Sequence, residues 1–204
     1  MKRISTAIVL TILFAAGTHA RTVAELFIAA PDGIFPLMGK NTRMDMVDYS
    51  THSLPTMSET ETGGKTRIVE MDDRRLLAQA GTASSVEVAV LPMRSDTLLA
   101  VIETVLVPMA DSSIRFFSTR TWQELPQKNA TGMADFFQNG RIPDNPPRML
   151  FAKISFDSES GHFVFTNTTA SDYVESDAPA SLPLMKTAIR RSFNGKSWKT
   201  VSEQ

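Results

Sequence analysis

The sequence contains no cysteine among its 204 residues and only three histidines. Without cysteine, the chain forms no disulfide, no thiolate nucleophile and no cysteine-ligated zinc site. Outside the first twenty residues, the histidines are His52 and His162, so a histidine-rich metal site is excluded and a Ser-His-Asp triad would have to use one of them. The stability of the fold must therefore come from its hydrophobic core.

An excess of charge is also lacking. The chain has 21 basic and 22 acidic residues and a formal net charge of −1, which gives no basic field to attract nucleic acid or acidic membranes. The sequence has no G-x-S-x-G elbow, no H-E-x-x-H helix and no glycine-rich phosphate loop. We therefore expect no nucleic-acid partner and no cofactor.

The first twenty residues have the composition of a signal peptide. Lys2 and Arg3 form a positive start, residues 4–17 are mainly apolar, and Thr18-His19-Ala20 places small residues around a cleavage site. The apolar run is shorter than the ~20 residues that a membrane helix needs. We predict that residues 1–20 are a signal peptide and that the mature chain begins at Arg21. It would be exported to the periplasm or outside the cell, with no membrane span; the alternative is a retained signal anchor.

Residues 84–118 organise the rest of the predicted fold. They are rich in β-branched and aromatic residues and are interrupted by turn residues at 92–96 and 108–112, which predicts three consecutive antiparallel strands. The middle strand, residues 97–107, is apolar on both faces, so we predict that it lies at the centre of a sheet and is covered on both sides. One face carries Leu98, Ala100, Ile102 and Leu106, and the other carries Leu99, Val101, Val105 and Val107.

Short helices precede these strands and hairpins follow them. Thr22 and Glu25 have the spacing of a capping box, and a second helix is predicted to open at Thr42 and to bury Met44, Val47 and Leu54. Near the C-terminus, Asn194-Gly195 predicts a two-residue hairpin loop that would place Arg191 opposite Trp198. We predict that residues 21–204 form one α+β domain, with a single mainly antiparallel β-sheet of meander and hairpins packed by two short N-terminal helices.

Two segments carry a family resemblance. Residues 26–49, LFIAAPDGIFPLMGKNTRMDMVDY, are followed by a polar gap and then by residues 101–118, VIETVLVPMADSSIRFFS, with Trp122 just beyond. This pattern resembles a family of uncharacterised secreted proteins from Bacteroidales-type bacteria, described only as a domain of unknown function. The resemblance implies a bacterial source, a periplasmic or surface location and an α+β fold, and it brings no catalytic residue with it.

Two carboxylates are candidates for chemistry. Glu103 shares a strand face with Leu99 and Val101, where a carboxylate needs either a partner or a function. The first reading is a salt bridge to Arg115 or Arg120. The second is a general acid or base, which could form a glycosidase-like pair with Glu87. Asp45 and Asp48 share a helix face, but such pairs are common on solvated helices, so no metal site is predicted.

Six amphipathic side chains are candidates for binding. Arginine and aromatic residues recur at binding hot spots, and they would form a patch for a protein or glycan if the helices leave one sheet face uncovered. The alternative is that they are ordinary core and rim residues. The candidates are Arg115, Phe117, Trp122, Tyr173, Arg191 and Trp198.

The sequence therefore predicts an exported domain that binds without catalysis. Its partner would be an unknown protein or a glycan. The two alternatives are a carboxylate-based hydrolase centred on Glu103 and a subunit of a cell-envelope assembly.

Overall fold

A computed structural model describes residues 21–128, 130–137, 140–144, 146–169 and 185–201. The predicted signal peptide, residues 1–20, and one candidate binding residue, Tyr173, lie outside the described residues.

Four helical segments and ten strands make up the regular structure of the described residues. The helices are α1 (Val23–Ala29), a 3₁₀ turn (Asp32–Ile34) and α2 (Lys40–Thr51), and a second 3₁₀ turn follows much later (Met133–Phe136). The first six strands are β1 (Ser58–Glu59), β2 (Lys65–Met71), β3 (Arg75–Ala80), β4 (Ser84–Pro92), β5 (Thr97–Val105) and β6 (Asp111–Ser118). The last four are β7 (Ala152–Asp157), β8 (His162–Asn167), β9 (Ala188–Phe193) and β10 (Trp198–Thr200).

The strands form two sheets, so the predicted single sheet is wrong. The first sheet has six strands in the order β1-β2-β3-β4-β5-β6, and the second has four in the order β10-β9-β8-β7. All the pairings are antiparallel, as the hairpin signals predict. The physical reason for the second sheet is that the helices cover only one face of the first. The other face is also apolar and is covered by the second sheet.

Strand β5 has the two apolar faces that its sequence predicts as far as Ile102. The predicted cover on both sides is wrong at the C-terminal end, because the strand ends at Val105, and Val105, Leu106 and Val107 are 56%, 36% and 60% exposed. Leu99 and Val101 are buried in the core beneath the helices, whereas Leu98, Ala100 and Ile102 are buried in the core between the sheets. The predicted central position is wrong, because β5 lies next to the edge strand β6. Burial on both faces of a strand shows that layers pack above and below it. It does not show how many strands lie on either side of it within the sheet.

Helix α1 begins with the predicted capping box. Thr22 Oγ1 accepts a hydrogen bond from the Glu25 backbone N–H (3.3 Å), and Glu25 Oε2 accepts one from the Thr22 N–H (2.9 Å). The helix buries Val23, Leu26 and Phe27 completely against the six-stranded sheet. The prediction of a short amphipathic first helix is confirmed.

Helix α2 begins two residues before the predicted start. Thr42 does not cap it, because the Thr42 hydroxyl donates to the Glu59 carbonyl oxygen (3.2 Å) and Gly39 is the N-cap. Met44 and Leu54 are 46% and 47% exposed, so the predicted buried face is wrong at both positions. The face of α2 that packs on the rest of the protein instead carries Arg43 and Met46, which are both buried.

Arg43 holds the helical layer together from inside. Its guanidinium is fully buried and donates to the backbone carbonyls of Phe27 (2.8 Å), Ala30 (2.5 Å) and Met38 (2.5 Å), and to Asp32 Oδ1 (3.0 Å). Burial lowers the pKa of Arg43, and the hydrogen bond and charge of Asp32 act in the opposite direction. One side chain therefore satisfies carbonyls at the end of α1 and in the segment that leads to α2.

Aromatic side chains fill the space between the two sheets. Phe116 stacks on Phe193 with ring centroids 4.0 Å apart, and meets Phe163 edge to face at 5.8 Å. The Trp198 ring lies 4.9 Å from Phe193, 5.3 Å from Phe163 and 5.7 Å from Phe165. Aromatic pairs at these distances contribute about 0.5–1.5 kcal/mol each beyond their buried area. This cluster fixes how the second sheet sits on the first.

Side chains of the first sheet bind the edge of the second. Alternate residues of β7 direct their backbone N–H groups towards the first sheet, and side-chain oxygens accept them. The acceptors are Asp111 Oδ1 for Ala152 (3.2 Å), Ser112 Oγ for Ile154 (3.0 Å) and Glu87 Oε1 for Phe156 (2.6 Å). The three N–H groups on this edge of β7 therefore have acceptors without a backbone ladder between the sheets.

The last hairpin has a longer loop than predicted. Phe193 is opposite Trp198, and Arg191 is opposite Thr200, so the predicted pairing of Arg191 with Trp198 is wrong. Asn194 Oδ1 accepts the backbone N–H groups of residues 196 (3.0 Å) and 197 (2.9 Å), which closes a four-residue loop. The side chain of the turn residue thus shifts the register.

Candidate functional site

The candidate binding residues do not form one patch. Arg115, Phe117 and Trp122 lie on the helix side of the six-stranded sheet, with the Arg115 guanidinium 5.3 Å from the centre of the Phe117 ring. Phe117 itself is buried. Arg191 and Trp198 lie on the other side, in or beside the core between the sheets. The covered faces of the first sheet separate the two groups, and Tyr173 is outside the described residues.

Arg191 and Trp198 have structural partners. Arg191 forms an ion pair with Asp135 of the second 3₁₀ turn (2.6 Å), and only 14% of its side chain is exposed. Trp198 packs among the phenylalanines between the sheets. Neither side chain is presented to solvent as a binding hot spot requires, so both fit the alternative reading of core and rim residues.

The two candidate carboxylates lie on opposite faces of the six-stranded sheet. Val86 is opposite Glu103 and Ile102 is opposite Glu87, and cross-strand partners share a face. Glu103 forms an ion pair with Arg115 (3.3 Å), as the first reading of that residue predicts. Glu87 and Glu103 cannot flank one glycosidic bond, so the predicted carboxylate pair is wrong.

Glu87 instead belongs to a buried ion-pair cluster. Only 4% of Glu87 is exposed, and its carboxylate accepts from Arg75 Nε (3.0 Å) and Arg75 Nη2 (3.2 Å). Arg75 also pairs with Glu70 at 2.5 Å. Burial lowers the pKa of Arg75, but the two carboxylates more than offset this and the net shift is upward. This cluster stabilises the contact between the sheets, and its groups are all engaged with each other.

The acidic residues of α2 do not gather a metal site. Asp48 lies 3.1 Å from His52 and both side chains are more than 60% exposed. In the chain segments that the structure describes, no three His, Asp or Glu side chains are grouped as metal ligands. Asp45 is likewise exposed, which agrees with a solvated helix face.

A polar concave surface lies at the end of the six-stranded sheet, around the β4–β5 turn. We call it the turn cleft, and it has a volume of about 680 Å³. It combines the start of the described chain, the β4–β5 turn and the turn that follows β6. The residues used below are Arg21, Arg94, Asp96, Thr119, Arg120 and Trp122.

Tight turns build this cleft. The Met93 N–H donates to the Asp96 carbonyl (2.8 Å) in the β4–β5 turn, and the Trp122 N–H donates to the Ser118 carbonyl (2.8 Å) after β6. Trp122 has a φ of 57°, a left-handed conformation that is strained for a bulky side chain. Its ring packs against the core beneath the helices. Strain held in place by packing is typical of functional positions, which makes Trp122 the strongest of the candidate binding residues.

The cleft carries more positive than negative charge. It has three arginines and one aspartate, a net formal charge of +2, in a chain whose net charge is −1. Asp96 is engaged, because its carboxylate accepts from the Ser118 hydroxyl (2.5 Å) and the Thr97 N–H (2.7 Å). Across the described parts of the chain, neither Arg94 nor Arg120 has a carboxylate partner. Two guanidinium groups are therefore free to bind an anion.

Arg21 is fixed at the other side of the cleft. Its Nη2 donates to the carbonyl oxygen of Thr119 (3.2 Å), and the Thr119 N–H donates to the Thr97 carbonyl (2.9 Å). A second recess of about 520 Å³ adjoins the cleft, shares Asp96 and Arg120 with it, and adds Lys196 from the last hairpin. Cationic groups from four separate chain segments thus converge on one end of the molecule.

Sequence reasoning found Trp122 but missed the arginines. Arg21, Arg94 and Arg120 are spread over about half of the chain and belong to no motif. The one available signal was that Arg94 lies in the predicted turn at residues 92–96, where an exposed cation is ordinary. The convergence of the three arginines depends on the antiparallel order of β4, β5 and β6.

The fold and the cleft together define the class of protein. It is a two-sheet α+β protein with an open cationic cleft at one end of the six-stranded sheet. The described residues that line this cleft include no cluster of nucleophilic or metal-binding side chains. None of the helices within the described ranges is both long and apolar enough to cross a membrane. The chain belongs to the family described as "Protein of unknown function (DUF3256)", whose model matches residues 15–198. The resemblance to an uncharacterised family is thereby confirmed.

The comparison with solved structures supports the fold. The chain is similar to a structure described as a domain of an uncharacterized protein from Porphyromonas gingivalis W83. The TM-score is 0.65 at 20% sequence identity, and the match covers 91% of this chain and 100% of that one. No curated protein matches the chain.

Proposed function

We propose that the protein is a non-catalytic binding domain whose turn cleft holds the anionic groups of an acidic glycan. The single observation that carries this proposal is the free pair of guanidinium groups, Arg94 and Arg120, beside the strained Trp122. A guanidinium presents a planar fork of N–H donors that matches a carboxylate, sulfate or phosphate. An indole face beside it offers a surface for the apolar side of a sugar.

The character of the cleft favours a glycan over a protein segment. Stable protein interfaces have an apolar centre and a polar rim. The turn cleft is instead polar and open, and the large apolar side chain at its side, Trp122, is only partly exposed. A repeating acidic glycan can place successive anionic groups on Arg94, Arg120 and Arg21.

The same geometry supports binding without catalysis. Asp96 is the one carboxylate among the described residues that line the turn cleft, and it is held by Ser118 and Thr97. Glycoside hydrolysis ordinarily needs two carboxylates on either side of the scissile bond. The predicted hydrolase centred on Glu103 has no support from this arrangement.

The experiment is a titration of residues 21–204 with a polygalacturonate oligosaccharide by calorimetry. We expect affinity that falls as salt rises, because guanidinium–carboxylate contacts are screened. The triple substitution R21Q/R94Q/R120Q should lose at least about tenfold in affinity, corresponding to ~1.4 kcal/mol.

A matched control removes the same charge elsewhere. K128Q/K153Q/K199Q replaces three exposed lysines that do not line the cleft and changes the net charge by the same amount. If this control loses as much affinity as the arginine variant, binding is a net-charge effect and the cleft proposal fails. If sulfated, phosphorylated and carboxylated oligosaccharides all fail to bind, the proposal also fails.

Export is the second part of the proposal. It rests on the positive start, apolar run and small residues of segment 1–20. Expression of the full chain in a Bacteroidales host should yield a protein outside the cytoplasm whose N-terminal residue is Arg21. Recovery of uncleaved protein in the cytoplasm would contradict it.

A further inference from the structure

The outer edge of the first sheet is only partly covered. β1 pairs with two residues of β2, Ser58 with Thr66 and Glu59 with Lys65, and β2 continues to Met71. Beyond Thr66, β2 therefore has a strand partner on the β3 side alone. An uncovered strand edge presents N–H and C=O groups that can pair with another chain.

A recess opens beside this edge, where the chain approaching β1 diverges from β2. We call it the edge recess; its volume is about 250 Å³. Its walls are the C-terminal half of α2, the segment leading into β1, and β2. The residues used below are Tyr49, Leu54, Pro55, Ser58, Arg67 and Val69.

The recess combines an apolar rim with an unsatisfied hydroxyl. Leu54 and Val69 are 47% and 50% exposed at the rim. Ser58 is only 7% exposed, and no described residue is hydrogen-bonded to its buried hydroxyl. The hydroxyl of neighbouring Thr66, by contrast, is 2.6 Å from the Gln79 carbonyl oxygen. A buried hydroxyl without a partner is unfavourable, and a ligand that bonds to it removes that penalty.

The charge of the recess indicates the charge of its ligand. Arg67 is the one charged residue among the described residues that line it, and it is exposed. It has no ion-pair partner in the part of the chain that the structure describes. A carboxylate on the ligand would complement this free guanidinium.

We propose that the edge recess binds an extended acidic peptide of a partner protein as an added strand. The peptide pairs with β2 beyond Thr66 and places one amphipathic side chain, such as tyrosine, between Leu54 and Val69. The polar end of that side chain bonds to Ser58, and a neighbouring carboxylate pairs with Arg67. Strand addition with a side-chain pocket is a recurring mode of peptide recognition.

Two features of the edge favour a short peptide over other occupants. The recess is smaller than the roughly 300–1,000 Å³ typical of small-ligand pockets, which suits one inserted side chain better than a whole cofactor. The register of β2 against β3 shifts between Ile68 and Glu70. Such a bulge disfavours a long regular ladder, so specificity must come from the pocket and from Arg67. The site shares no residue with the turn cleft.

The test is selection of a displayed random nonapeptide library against residues 21–204. We expect enriched peptides that alternate in an extended pattern and carry tyrosine or a similar residue beside Asp or Glu. In the Arg67→Glu variant, selection should enrich basic residues in place of acidic ones. Because Arg67 is exposed, this substitution leaves the core intact.

Further variants separate the site from its alternatives. Ser58→Ala should weaken an enriched peptide several-fold, and R21Q/R94Q/R120Q should bind it unchanged, which distinguishes this site from the turn cleft. Amide signals of residues 67–69 should shift on peptide addition. The proposal is overturned if no peptide is enriched, if Arg67→Glu binds the original peptides equally well, or if the protein only self-associates through β2.

Discussion

Removal of the Glu87 carboxylate should loosen the contact between the two sheets. Glu87 is 4% exposed and accepts hydrogen bonds from Arg75 and from the Phe156 N–H at 2.6 Å. The substitution Glu87→Ala leaves the partly buried guanidinium of Arg75 without its main partner and one β7 amide without an acceptor. Deleting one member of a buried ion pair costs about 3–5 kcal/mol.

The free energy of unfolding that Glu87→Ala removes should lie at the lower end of that range. Arg75 retains Glu70, whose carboxylate lies 2.5 Å away, and 19% of the Arg75 side chain is exposed. We therefore expect the free energy of unfolding to fall by about 3 kcal/mol, since the remaining partner and solvent compensate in part. The unpaired Phe156 amide is included in this figure.

Urea unfolding, followed by tryptophan fluorescence, measures the change. Trp198 lies in the core between the sheets and reports their separation. The control is Glu103→Ala, which breaks a pair whose carboxylate is 41% exposed and should cost at most about 1 kcal/mol. Glu87→Gln, which keeps an acceptor, should lie between them. If Glu87→Ala costs no more than Glu103→Ala, the assignment of Glu87 to the contact between the sheets is wrong.

Two further predictions concern the helical layer and a turn. Arg43→Leu leaves the carbonyls that Arg43 satisfies without donors, and it should destabilise the protein by about 3–5 kcal/mol in urea unfolding. Asp72 accepts the backbone N–H groups of Arg74 (2.7 Å) and Arg75 (2.7 Å). Burial raises the pKa of Asp72, but these hydrogen bonds more than offset it, so the net pKa is below the ordinary value. A lowered folded-state pKa gives stability that is present above the unfolded value of ~3.9 and is lost as pH falls below it. Asp72→Asn should therefore flatten the loss of stability below about pH 4.

Each of these has a control in the chain. Lys40→Leu changes an exposed cation at the start of the same helix as Arg43 and should be nearly neutral; equal losses for both would refute the role given to Arg43. Asp45→Asn removes an exposed carboxylate without those amide contacts. If Asp45→Asn reduces the loss of stability below about pH 4 as much as Asp72→Asn does, the hydrogen bonds of Asp72 are not the cause of that loss.

Local patterns in the sequence were sufficient for several elements. The alternation in residues 97–107 placed Leu99 and Val101 on one face and Leu98 and Ile102 on the other, and the structure confirms this. Period-2 alternation is a property of the backbone itself, so it does not depend on the rest of the fold. The capping box of α1 is local for the same reason.

Long-range placement was beyond the sequence. The split into two sheets depends on how the chain between β6 and β7 crosses to the other face. Thr42 does not cap α2, because its hydroxyl donates to the backbone carbonyl of Glu59 in β1. The register of the last hairpin depends on which loop Asn194 closes. In the first two cases contacts between distant residues overrode the local signal, and in the third the side chain of Asn194 closed a longer local loop than the one predicted.

By itself, the sequence determined strand character, the two faces of β5, the first cap and the pairing of Glu103 with an arginine. Only the tertiary structure decided the roles of the other residues. Arg191 and Trp198 pack within the protein, Glu87 links the two sheets, and the three arginines line one cleft. The physical reason is distance along the chain. Side-chain periodicity is encoded over a few residues, whereas a site is formed by residues up to a hundred positions apart, and only the packing of the layers brings those together.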